Sequence, residues 1–182
     1  MSNNIEGQIL IATPKLNTDT FRQTVIYVHT DDTAGAIGVI LNVPMDYDIA
    51  SKWSEEIGWP YPERIHMGGP VDRHLGYVLH TADYARETSI VLNDSIAYTG
   101  GKYIVSDINR GVGPNQYLLV TGYCSWQPGQ LKKEVKAGMW TVVDFESDFL
   151  FQELDREAYW EFAIHLAAQH KTDKLLDTVD SL

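Results

Sequence analysis

Three apolar runs near the start of the chain are joined by links too short to hold a crossover helix. The first is Ile9-Leu10-Ile11-Ala12, closed by Thr13-Pro14. A polar, turn-like stretch over 16–21 leads to the second, Thr24-Val25-Ile26-Tyr27-Val28-His29, which is β-branched and aromatic. Asp31-Asp32-Thr33-Ala34-Gly35 carries turn chemistry, and Ala36-Ile37-Gly38-Val39-Ile40-Leu41-Asn42 is the third run. Parallel neighbours need a crossover of about a dozen residues or more, so these strands are expected to pair antiparallel. They are apolar at nearly every position instead of every second one. That pattern predicts a sheet covered on both faces.

The rest of the chain interleaves helices with short strands. Ile49, Trp53, Glu56 and Ile57 follow a helical spacing, so 48–57 reads as a helix with Asp46 or Asp48 as its cap. Ile65-His66-Met67 leads into Gly68-Gly69-Pro70-Val71, and 75–80 is a strand. Short strands at 89–91 and 95–98 flank an Asn93-Asp94 turn, and 101–111 reads as helical. Tyr117-Leu118-Leu119-Val120 then runs into Gly122-Tyr123-Cys124-Ser125-Trp126-Gln127-Pro128-Gly129-Gln130-Leu131. A helix over 132–137 follows, with Pro128 at its first position and Gln127 or Ser125 at the cap. After a strand at 139–143, a helix spans about 154–169, its buried stripe built from Leu154, Ala158, Phe162 and Leu166. The segment 171–182 carries Leu175, Leu176, Val179 and Leu182. It reads either as a weak amphipathic helix that docks on the body or a partner, or as a frayed polar tail. The expected architecture is α+β. One domain over 1–170, followed by a tail over 171–182, forms a curved, barrel-like, mostly antiparallel or mixed sheet flanked by helices, with the C-terminal helix packed on it.

Charge narrows the partners. The chain has 14 Lys and Arg against 25 Asp and Glu, for a net charge of -11. An acidic surface repels phosphate backbones, so direct nucleic-acid binding is disfavoured. Arg64, Arg73, Arg86, Lys102 and Arg110 are scattered in sequence and define no basic run. One cysteine makes no internal disulfide, which suits a reducing compartment. Neither a basic n-region with an apolar h-region nor an apolar run of roughly 20 residues is present. The expectation is a cytoplasmic protein without a membrane partner.

Two glycine–proline turns carry the candidate site. Gly68, Gly69 and Pro70 form one; Gly122, Tyr123, Trp126, Pro128, Gly129 and Gln130 belong to the other. Glycines let a ligand approach the backbone, and a shared concave surface would make these residues ligand-facing. The plain reading is that they join strands. Cys124 supports an alternative. A thiol between a strand and a helix start can be activated by free N–H groups, and a histidine base would complete a hydrolase or transferase. Six histidines are present (His29, His66, His74, His80, His165 and His170) and the sequence singles out none of them. The other reading of Cys124 is a small buried residue. His66, His74 and His80 do not follow a zinc spacing, and no metal or cofactor is expected. The acidic run from Asp144 to Glu161 reads as solvated surface and helix-start charge.

Taken in order, these motifs resemble the YqgE/AlgH family of bacterial proteins. The resemblance rests on Leu10-Ile11-Ala12-Thr13-Pro14, Phe21 with Thr24-Val25-Ile26-Tyr27, the run from Gly35 to Asn42 with Pro44, Gly68-Gly69-Pro70-Val71, and Val78-Leu79-His80. It continues through Gly122-Tyr123, Trp126, Pro128-Gly129-Gln130-Leu131 and Trp140. Cys124 and Ser125 stand where the family usually has a small residue and a glycine, Lys132 where an acid is common, and Thr99-Gly100-Gly101 where Thr-Ser-Lys is usual. The resemblance implies a curved-sheet α+β fold. It brings no agreed activity, cofactor or catalytic set, and some members are labelled transcriptional regulators. The implied function is a non-catalytic binding or regulatory protein acting through a protein or small-ligand contact.

Overall fold

The computed structural model describes residues 4–145 and 147–181. Nine strands form one curled half-barrel sheet: β1 (Ile9–Ala12), β2 (Val25–Asp32), β3 (Gly35–Ile40), β4 (Ile65–Met67), β5 (Val71–Thr81), β6 (Ser89–Val91), β7 (Ile96–Thr99), β8 (Tyr117–Trp126) and β9 (Trp140–Val143). Four α-helices flank it: α1 (Tyr47–Ile57), α2 (Lys102–Asn109), α3 (Gln130–Lys136) and α4 (Arg156–Asp180). The spatial order is β6-β7-β5-β8-β3-β2-β1-β9. Every pairing along that path is antiparallel, including β2–β3 and β6–β7, whose links are too short for a crossover. The exception off the path is β4, which runs parallel to β8.

The continuous apolar strands are explained by what covers them. Ile9 and Ile11, Val25 and Tyr27 point to one face, where Phe149, Leu150, Tyr159, Ala163 and Ala167 pack. Leu10 and Ala12, Ile26 and Val28 point to the other, against Trp126, Leu131 and Trp140. A third cluster joins Ala50 and Trp59 to Ile65, Val78, Ile104, Val105 and Leu119 under α1 and α2. The two faces of β1 and β2 are thus both dry, and side chains of either parity are apolar.

Two local expectations are corrected. The buried stripe of α4 is Tyr159, Ala163 and Ala167, one residue out of phase with the expected set. Leu154 precedes the helix, and Phe162 is 41% exposed. Hydrogen bonds set this phase: the Tyr159 hydroxyl donates to the Phe149 carbonyl, and Trp160 Nε1 donates to the Ala12 carbonyl at 2.8 Å. At α3 the cap is Gly129, left-handed at φ 78°, so Pro128 lies outside the helix and neither Gln127 nor Ser125 caps it. Gln127 instead closes the turn, its N–H donating to Gln130 Oε1 at 2.9 Å. The start of α1 does follow expectation, because Asp46 Oδ1 accepts from the N–H groups of Asp48 and Ile49.

Candidate functional site

Gly68, Gly69 and Gly122 come together, but backbone to backbone. A Cβ on Gly68 would stand 2.5 Å from the Gly122 carbonyl oxygen. A Cβ on Gly69 would strike the Tyr123 backbone, and one on Gly122 would strike the Gly69 carbonyl. Gly68 N–H donates to the Thr121 carbonyl at 2.7 Å. Gly122 has φ 71° where the β5–β8 register slips between Val71 and Gly76. These glycines let the β4–β5 turn cross β8 at close range, and all three are buried.

The second turn lies elsewhere. Gln127, Pro128 and Gly129 line a cavity of about 450 Å³ with Asp31, Asp32 and Lys132. Gly69 and Pro70 line a different one of about 420 Å³. The two glycine–proline turns therefore face two cavities, not one. Trp126 is buried, and its Nε1 donates to Glu134 at 3.0 Å beside the Trp140 Nε1 bond at 2.8 Å. Tyr123 donates its hydroxyl to Asp72 at 2.9 Å, and Gln130 donates to Glu134.

Cys124 sits on β8 inside the second core cluster and is 2% exposed. Its Sγ donates to the Gly68 carbonyl at 3.6 Å. Burial pushes the thiol pKa up to about 12, the reverse of what a nucleophile needs. His80 is a fixed hydrogen-bond bridge. Its Nδ1–H donates to the Thr81 carbonyl at 2.8 Å, so Nε2 accepts from the Thr99 hydroxyl at 2.8 Å. Burial lowers the His66 pKa to about 4. Among the described residues no cluster of three or more His, Cys, Asp or Glu could hold a metal ion. Native protein is expected to resist an exposed-thiol reagent such as a disulfide dye, with Cys124 reacting at the rate of unfolding. A rapid stoichiometric reaction of the folded protein would contradict this placement.

The groove at Pro70 is walled mainly by apolar side chains. Ile40, Val43, Met45, Trp53 and Met67 line it, with Ile49 of α1 along one side. Ile49 is 53% exposed and Met67 40% exposed. Asp46 is committed to the α1 cap. Arg156 is committed to backbone, donating to the carbonyls of Asp19, Thr20 and Arg22. Arg73 also borders the groove, is exposed, and has no hydrogen-bond or ion-pair partner among the described residues. Asp19 borders the groove too, at 3.9 Å from Arg22, so an apolar trough of this size suits a small, mainly apolar molecule, with Arg73 the cation free to meet an acidic group. Methionine walls adapt to irregular shapes. Sequence reasoning found Gly69 and Pro70 but missed this groove. Ile49 reads as a core position of an amphipathic helix, and nothing in its spacing marks it as solvent-facing.

A curled, mostly antiparallel sheet flanked by four helices defines a small α+β protein class. The chain belongs to the AlgH-like family (DUF179), whose match covers residues 9–171. A UPF0301 protein of Rickettsia rickettsii is 32% identical over 167 residues, covering 89% of this chain and 88% of the relative. A UPF0301 protein of Thiobacillus denitrificans is 32% identical over 153 residues, covering 81% and 82%. The solution structure of AlgH from Pseudomonas aeruginosa superposes with a TM-score of 0.70 at 26% identity, over 91% of this chain and 90% of that one. A Corynebacterium diphtheriae crystal structure shares the fold, with a TM-score of 0.63 at 18% identity over 87% and 92%. Among the described residues no helix is long and apolar enough to cross a membrane.

Proposed function

We propose that this chain is a non-catalytic, cytoplasmic regulatory protein whose groove binds a small apolar molecule bearing an acidic group. One observation carries the reading: exposed Ile49 and Met67 frame an apolar trough, and Arg73 borders it as an unpaired cation. Isolated exposed apolar residues are ordinary, but here they converge on one concavity. The net charge of -11 supports regulation through ligand and protein contacts, because such a surface does not grip phosphates. The cysteine-nucleophile alternative gains no support from Cys124, whose thiol is sealed and held neutral.

Anilinonaphthalene sulfonate is a suitable probe, being apolar and anionic. The expected result is saturable binding by the folded protein. Ile49→Asp should weaken it about tenfold or more, the loss expected for one buried aliphatic side chain. Arg73→Ala should weaken it about fivefold, the scale of one exposed charge pair. Leu175→Asp, on a distant exposed apolar stretch, should leave it unchanged. Absence of saturable binding, or equal affinity in Ile49→Asp, would overturn the proposal.

A further inference from the structure

We infer that the ring of Trp53 closes one end of the groove and so sets how long an apolar tail its ligand can carry. This inference rests on the groove reading above and adds the ligand's shape to it: an acidic head near Arg73 and a flexible chain running along α1. A second hollow, of about 210 Å³, lies next to the groove. Trp53 is the one residue that borders both.

Helix and sheet agree on how the two spaces are joined. On α1, Ile49 lines the groove, Trp53 lines both spaces and Ile57 lines the second hollow. Steps of four residues set these three side chains on one helix face, roughly 6 Å apart along the axis. On the sheet, Thr121 of β8 lines the groove, and its cross-strand partner Gly76 of β5 lines the second hollow. Val78 and Leu119, the next pair on the same face, continue the second hollow. One trough between helix and sheet thus runs from Ile49 to Ile57, and Trp53 interrupts it.

Packing alone holds this ring. Gly76 leaves room for it, since a Cβ there would stand 2.9 Å from the Trp53 ring. The other four of the five tryptophans donate their indole N–H: Trp59 to the Tyr61 carbonyl, Trp126 and Trp140 to Glu134, and Trp160 to the Ala12 carbonyl. Trp53 Nε1 has no such partner among the described residues, so removing its ring strands no hydrogen bond. The space behind the ring suits a tail. Ile57, Val78, Val105 and Leu119 wall it, the Tyr77 hydroxyl donates to the Gly122 carbonyl at 3.1 Å, and the Thr99 hydroxyl donates to His80. Lys102, its one charged residue, is exposed to solvent.

Calorimetric titration with n-alkyl sulfonates, from butanesulfonate to decanesulfonate, tests this. In the unsubstituted chain affinity should rise about fourfold per added methylene, the gain for burying one, and then level off where the tail meets Trp53. In Trp53→Ala the short sulfonates should bind within about threefold of their original affinity, while the rise continues for further methylenes and leaves decanesulfonate about tenfold tighter. Decanesulfonate should also shift the backbone amides of Val78, Val105 and Leu119 in Trp53→Ala and leave them in place in the unsubstituted chain. Trp53→Leu, with a smaller apolar side chain over Gly76, should move the levelling point by less, and it carries the same test if the alanine variant does not fold. A levelling point common to the variants and the unsubstituted chain, or no levelling in the unsubstituted chain, would overturn the inference while leaving the groove reading in place. Failure of every sulfonate to bind would overturn both.

Discussion

Replacing Gly122 by alanine is expected to destabilise the fold by about 3 kcal/mol, a large share of the roughly 5–15 kcal/mol typical of a whole domain. Two costs add. Gly122 has φ 71°, where a side chain clashes with its own backbone at about 1–2 kcal/mol. The new methyl group also meets the Gly69 carbonyl and stands 2.9 Å from the Val71 carbonyl, both in the backbone of the crossing turn. Backbone cannot swing aside as a long side chain can, and overpacking of this kind costs about 1–3 kcal/mol. Gly100→Ala is the matched control, because Gly100 has open space around its Cβ position and no left-handed φ. Urea unfolding should show a clearly lower midpoint for Gly122→Ala and little change for Gly100→Ala. Equal midpoints would contradict the backbone-to-backbone crossing.

Asn42→Ala is expected to cost a similar amount, about 3 kcal/mol, by stranding buried polar groups. Asn42 is wholly buried just past the end of β3. Its Oδ1 accepts from Val25 N–H at 2.9 Å, and its Nδ2 donates to the carbonyls of Gln23 at 2.8 Å and Arg156 at 2.9 Å. One side chain thus ties the start of β2, the preceding turn and the first residue of α4. Its loss leaves the Val25 N–H and the Gln23 carbonyl without this partner, each worth about 1–3 kcal/mol if water does not enter, while the Arg156 carbonyl at the start of α4 keeps its intrahelical bond. Arg156 also lines the groove, so the same variant should weaken probe binding along with stability. A variant as stable as the parent would show that water replaces the amide at no cost.

Much of the sheet was legible because its signal is local. The turn at 31–35 forces the second and third strands antiparallel, the polar turn-like stretch at 16–21 suits the same pairing for the first two, and unbroken apolar runs announce a sheet covered on both sides. The phase of α4 was not legible. Both Leu154, Ala158, Phe162, Leu166 and Tyr159, Ala163, Ala167 run every fourth residue, and a tyrosine hydroxyl paired with a distant carbonyl decides between them. The α3 cap was misread for a related reason. Pro128 suits a first helical position, but the left-handed Gly129 after it delays the helix. For the site, the glycines announced a close approach without saying to what. Gly69 and Gly122 approach each other, whereas Pro128 and Gly129 face a separate hollow. The groove was invisible because it is assembled by tertiary contact from β3, α1, the β4–β5 turn and the start of α4, none of which has unusual composition.

The binding account is tested most directly by mapping the bound probe with backbone amide NMR. On titration with anilinonaphthalene sulfonate, the account predicts saturating shifts centred on the amides of Val43, Met45, Ile49, Met67 and Thr121, which Arg73→Ala diminishes. Shifts centred instead on Thr13 and Trp160, or on Asp32 and Gly129, or no saturating shift at all, would contradict it.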